Sequence, residues 1–114
     1  MEQGKDSVLM RMYDFVKELV PLVNKLPRDQ RFILGTRIET KGLEILDMLV
    51  EAYYLPKERK RAVLTEVNIR LEQLRFLLRM GFELGYYNSI RFGQYAEKLL
   101  EIGRMVGGWL KSVP

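Results

Sequence analysis

Apolar residues return along this chain at steps of three and four, in four separate blocks. The most regular block covers residues 62–84, where Leu64, Val67, Leu71, Leu74, Leu78, Gly81 and Leu84 fall on one line, flanked by Val63, Leu77 and Met80. That spacing predicts a helix with a single continuous buried seam. No proline interrupts it. At 1.5 Å rise per residue such a helix is about 35 Å long, so its neighbours must be long helices too. Upstream, Val8, Leu9, Met12, Phe15, Val16, Leu19, Val20, Leu22, Val23 and Leu26 keep helical spacing, but their stripe is wider than one seam needs. Asp6 or Ser7 is the expected N-cap of this first helix, because a short polar side chain accepts an orphan backbone N–H. Residues 1–5 are expected to fray. Pro21 lies inside the pattern and is expected to kink the helix, since it removes one hydrogen bond and crowds the preceding turn.

Leu26-Pro27 marks the first turn, and residues 28–54 read as helix two. Its buried side is expected to comprise Phe32, Ile33, Leu34, Ile38, Ile45, Leu46, Leu49, Val50 and Tyr53. Gly35 and Gly42 share a face. Glycine destabilises a helix interior by about 1 kcal/mol relative to alanine, so the pair points to close approach of another helix. Leu55-Pro56 is a short second turn into helix three, 57–84, which Gly85 is placed to end because it tolerates a left-handed conformation. Residues 85–89 form the third turn, with Asn88 or Ser89 as cap, and helix four covers 90–110. Its seam is Phe92, Ala96, Leu99, Gly103, Val106 and Leu110, and Gly103 and Gly107 would let a neighbour's backbone approach. Short turns between long helices make antiparallel neighbours. The expected fold is all-α, an antiparallel up-down-up-down four-helix bundle, with the single domain spanning 1–114. A helix in one bundle needs an apolar stripe of about 100°, and helix one exceeds it, which predicts association with further copies.

The chain has 114 residues, a formal charge of +4 and neither cysteine nor histidine. Thiol nucleophiles, Ser–His–Asp triads, Cys/His zinc sites, disulfides and the Glu-x-x-His ligands of di-iron bundles are therefore excluded. No run approaches the roughly 20 apolar residues of a membrane span, and the polar opening at 1–7 does not resemble a signal peptide. A cytoplasmic location is expected. The basic balance permits a nucleic-acid partner without requiring one.

Glu44, Asp47 and Glu51 share a face of helix two. They could act in acid–base or Mg²⁺ chemistry, but no nucleophile or second ligand set accompanies them, and a solvated face or pairing with arginines explains them more simply. Lys57-Glu58-Arg59-Lys60-Arg61 puts cations at the start of helix three, against the helix dipole at about 0.3 to 1 kcal/mol each. That misplacement hints at an anionic partner, although a solvated face is the commoner cause. Arg75 and Arg79 lie one turn apart, and Arg104 and Lys111 two turns apart. A guanidinium suits phosphate, and equally suits salt bridges to Glu72, Glu83 or Glu101. The tyrosine pairs Tyr53-Tyr54 and Tyr86-Tyr87 fall at opposite ends of the bundle, and Trp109 near the chain end calls for a covering surface.

Three blocks carry a resemblance. They are Leu26-Pro27-Arg28-Asp29-Gln30-Arg31-Phe32 with its continuation to Glu39, Leu71-Glu72-Gln73-Leu74-Arg75-Phe76-Leu77-Leu78-Arg79, and the tail from Glu101 through Gly103-Arg104-Met105-Val106-Gly107-Gly108-Trp109-Leu110-Lys111-Ser112. In order and spacing they resemble the accessory variability determinant (Avd) proteins of diversity-generating retroelements. These sit in a wider four-helix bundle family that includes proteins encoded by intervening sequences of ribosomal RNA genes. The tail and the Pro-Arg-x-Gln-Arg-Phe block favour the retroelement branch. The alternative is an intervening-sequence bundle with no reverse-transcriptase partner. The resemblance implies a homopentameric, positively charged barrel without catalysis or cofactor. It would associate with the retroelement reverse transcriptase and the template-repeat RNA, and bind nucleic acid, DNA included, with little sequence preference. The expected contacts are Arg59, Lys60, Arg61, Arg75, Arg79, Arg104 and Lys111.

Overall fold

The first apolar block folds as α1, Gln3–Asn24, in which Val8, Met12, Phe15, Leu19, Leu22, Val23 and Leu26 just beyond it are buried. The structure, a computed structural model, describes residues 3–114, with side chains from Val8 on. The expected cap at Asp6 or Ser7 rests on side chains outside that set, and the helix already runs from Gln3. It continues through Pro21 to Asn24 and closes with Leu26 N–H donating to the Val23 carbonyl at 3.0 Å. The surplus of the wide stripe stays at the surface, where Met10, Tyr13 and Val20 are exposed.

α2 spans 28–54 and is not uniform. An α-helical turn, Arg28–Gln30, leads into a π-helical turn, Arg31–Gly35, and then regular helix, Thr36–Tyr54. A π turn takes an extra residue per turn and so shifts the phase of what precedes it. Leu34 and Ile38 face the core, whereas Phe32 and Ile33, expected inside, are 77% and 63% exposed. Val50 also lies outside. The glycine pair meets the expectation of close packing. A Cβ on Gly35 would stand 2.7 Å from Val23 Cγ1, and one on Gly42 2.9 Å from Leu19 Cδ1. Both contacts are with α1.

α3, Lys57–Glu83, buries Leu64, Val67, Leu71, Leu74, Leu78 and Gly81 of the seam read from the sequence, whereas Leu84, expected to continue it, caps the helix and is exposed. On the opposite side Ala62, Ile69, Phe76 and Met80 are exposed. Its end is a glycine cap: Gly85 has φ +85°, and Tyr86 N–H reaches back to the Gly81 carbonyl at 2.9 Å. Gly81 is bare because the Tyr87 ring lies on it while the Tyr87 hydroxyl donates to the Leu78 carbonyl.

α4, Ser89–Lys111, starts from Asn88, whose side chain accepts from Arg91 N–H at 2.8 Å. Its core line is Tyr95, Leu99, Ile102, Val106 and Trp109. The expected seam is thus rotated, leaving Phe92, Ala96, Gly103 and Leu110 at its margin. Tyr95 anchors the rotation, with its ring edge-on to Phe15 and its hydroxyl donating to the Glu18 carbonyl at 2.9 Å. Nothing lies within 4 Å of a Cβ built on Gly103 or Gly107, so within this chain these glycines do not mark close approach. Each helix packs on the next and α4 returns against α1, giving a four-helix bundle of 43 × 24 × 19 Å.

Candidate nucleic-acid interface

The basic run that opens α3 divides by direction. Lys60 is 6% exposed. Its ammonium donates to the Ala52 carbonyl at 2.6 Å and the Tyr53 carbonyl at 3.1 Å, at the end of α2, and lies 5.9 Å from the Trp109 ring centroid. Arg61 turns to the end of α4, donating to the carbonyls of Leu110 at 3.2 Å, Val113 at 2.8 Å and Pro114 at 3.0 Å. In an antiparallel bundle the start of one helix lies beside the ends of its neighbours, whose last carbonyls are unpaired and carry negative partial charge. The cations that seemed misplaced on α3 thus complement α2 and α4. Lys60 is thereby removed from the solvent-facing contacts expected of it, because its ammonium is spent inside the bundle. Arg61 is exposed but engaged. Of the run's cations, Lys57 and Arg59 project into solvent.

The remaining arginines distribute over two grooves along α3. The α3–α4 groove, about 320 Å³, is lined by Arg75, Arg104, Glu72, Leu100 and Gly103. Arg75 is tied to Glu72 three residues before it. Hydrogen bonds from Arg75 hold the Glu72 carboxyl below its ordinary value, against a small opposing effect of burial, and the guanidinium is raised in return. Arg104 and Lys111 are exposed on α4. Arg79 faces the other side, in the α2–α3 groove, where its Nε donates to Glu83 at 2.9 Å. Arg75 and Arg79 therefore each pair with a carboxylate of their own helix, and neither bridges to Glu101, which is taken by Arg11 of α1.

The α2–α3 groove brings in two cations that the sequence reading passed over, Arg37 and Lys41. They lie one turn apart on α2, the only local signal they carry. Their significance rests on the register that sets them opposite α3. Lys41 Nζ donates across the groove to Gln73 at 2.9 Å.

A family model described as bAvd-like matches residues 8–113. The chain belongs to the bAvd-like family. That is the family of the accessory Avd proteins of diversity-generating retroelements, an accessory and non-catalytic family. No curated protein and no solved structure matches it.

In this bAvd-like chain one residue of the acidic face of α2, Glu44, is used for pairing. Glu44 meets Arg70 of α3 at 3.2 Å, and Arg70 reaches Glu66 at 3.2 Å, while Asp47 and Glu51 stay in solvent. Among the described residues no three acidic side chains gather closely enough to hold a metal ion, and no helix is long and apolar enough to cross a membrane. The tyrosines stand at two ends, Tyr53 and Tyr54 edge-to-face at one and Tyr87 folded onto Gly81 at the other. The arrangement offers exposed guanidinium and ammonium groups along α2, α3 and α4 beside exposed apolar side chains, which suits binding of an anionic polymer and of protein surfaces.

Proposed function

We propose that this chain is the non-catalytic accessory protein of a diversity-generating retroelement, acting in the cytoplasm. It assembles as a homopentamer, associates with the retroelement's reverse transcriptase and template-repeat RNA, and supports mutagenic cDNA synthesis. The bAvd-like match across residues 8–113 carries this reading. The exposed cations Arg59, Arg104 and Lys111 support it, as do Arg75 and Arg79, which bind their carboxylates only at the surface. The exposed apolar residues of α1 support assembly, since Met10, Tyr13 and Val20 remain about half exposed among the described residues.

A ring repeats each weak phosphate contact and adds avidity. Binding is then tolerant of sequence and steep in salt, because every neutralised phosphate releases counterions. The test is co-purification with a reverse transcriptase encoded beside this gene, alongside light scattering and RNA binding at low salt. The expected results are a mass near five times 13.5 kDa, a stable complex with the polymerase, and RNA affinity that collapses as salt rises. A monomer that binds neither RNA nor the polymerase overturns the proposal.

A further inference from the structure

The α2–α3 groove has the makings of a site for a single unstacked nucleotide. It is an open trough of about 610 Å³, within the size range of small-ligand sites. One wall carries Arg37 and Lys41, one helical turn apart, so their side chains emerge roughly 6 Å from each other; the Lys41 ammonium is engaged by Gln73 at 2.9 Å and lies 3.9 Å from Glu44. Arg37 is exposed and makes no ion pair or hydrogen bond among the described residues. Arg79 adds a third cation from α3, and the nearby carboxylate of Glu83 is already occupied by it. Phe76 lines the same groove and is 54% exposed. The Arg75 guanidinium stands 5.0 Å from its ring centroid.

The same trough fits an amphipathic helix poorly. A docked helix needs apolar anchors in a continuous line. Here the floor is confined to Phe76, Leu77 and Met80, and towards Ile69 the Lys41–Gln73 hydrogen bond crosses it from wall to wall. A duplex fits no better, because its bases are stacked inside and present no face to Phe76. We propose that the α2–α3 groove binds single-stranded nucleic acid, with Phe76 stacking one base and the exposed Arg37 and Arg79 holding neighbouring phosphates. This deepens the nucleic-acid reading of the preceding subsection and rests on it.

The experiment uses the full chain in its native assembly. The probes are a single-stranded oligonucleotide containing 2-aminopurine and the duplex of equal length, titrated at low salt. The wild type should bind the single strand more tightly and quench its fluorescence by stacking. Phe76→Leu should weaken single-strand binding by about tenfold, abolish the quenching and leave duplex affinity unchanged. Arg37→Gln should lower the salt slope by about 0.7 for the lost phosphate while keeping the quenching. Both side chains are exposed, so melting temperatures should not move, and Lys25→Gln, an exposed charge outside the groove, should keep both affinity and quenching. Unaltered single-strand affinity and quenching in both Phe76→Leu and Arg37→Gln would overturn the groove while leaving nucleic-acid binding intact. So would equal wild-type affinity for duplex and single strand without quenching. If the two variants spare nucleic acid but abolish association with the reverse transcriptase, the groove is a protein-docking surface and the proposal falls. A wild type that binds neither probe defeats the functional reading itself.

Discussion

Alanine at Gly103 should stabilise the protein, and alanine at Gly42 should not. Both glycines sit inside long helices, where replacing glycine by alanine gains about 1 kcal/mol in helix propensity. At Gly103 a new methyl meets nothing within 4 Å, so the gain is undiluted. With an unfolding entropy of about 2.1 cal/mol/K per residue, 114 residues give about 0.24 kcal/mol/K, and 1 kcal/mol raises Tm by about 4 °C. At Gly42 the methyl would stand 2.9 Å from Leu19 Cδ1 and 3.5 Å from Val16 Cγ2. Leu19 is fully buried and cannot swing into solvent. Overpacking of this kind destabilises by about 1 to 3 kcal/mol, which cancels or exceeds the propensity gain. Gly35→Ala should be worse still, since its methyl would press at 2.7 Å on a β-branched valine with little rotamer freedom. Thermal unfolding followed by circular dichroism, with light scattering on the same samples, reads all three. A lower Tm for Gly103→Ala would refute the reasoning that this face is open. If the assembly also loses mass, a neighbouring chain seats there.

Lys60→Met should lower Tm by more than about 4 °C, because the Ala52 and Tyr53 carbonyls lose their buried donor at about 1 to 3 kcal/mol for each group left unpaired. Arg79→Ala should barely move Tm, since an exposed pair with Glu83 four residues on is worth about 0.3 to 0.5 kcal/mol, so a loss of RNA affinity in this variant reads as lost contact; a large fall in Tm would make Arg79 structural. Burial first, and then the neighbouring Tyr95, raise the Tyr87 hydroxyl well above its ordinary value near 10. The unfolded chain therefore loses that proton first, and stability should fall as pH climbs above about 10; urea midpoints against pH should fall less steeply there for Tyr87→Phe, and parallel slopes would remove Tyr87 from the alkaline transition.

The helix count and the turns were legible because their signals are local. Leu55-Pro56, Gly85 and Asn88 stop or start helices through their own backbone preferences. The seam of α3 was legible because its leucines admit one helical phase. The phase of α2 before Gly35 was not, since the π turn that turns Phe32 and Ile33 outward has no residue type of its own. Helix four misled because glycine and alanine on its expected seam carry little apolar surface, and Tyr95, Ile102 and Trp109 bury far more when the helix rotates towards them. The candidate site was less legible than the fold. A lysine buried on carbonyls looks in sequence like any surface lysine, and only the antiparallel arrangement puts the ends of α2 and α4 within its reach. Arg37 and Lys41 acquired meaning through the register of α2 against Phe76, which no spacing within α2 reveals.

The division of labour among the cations gives the molecule two different responses to ions. Lys60 is locked on helix-end carbonyls away from water, where mobile salt barely screens it. Arg37, Arg59, Arg104 and Lys111 stand in the electrolyte, where salt weakens every attraction they make. Raising ionic strength should therefore detach an anionic ligand long before it loosens the bundle, so that a concentrated salt wash returns the protein stripped and still folded.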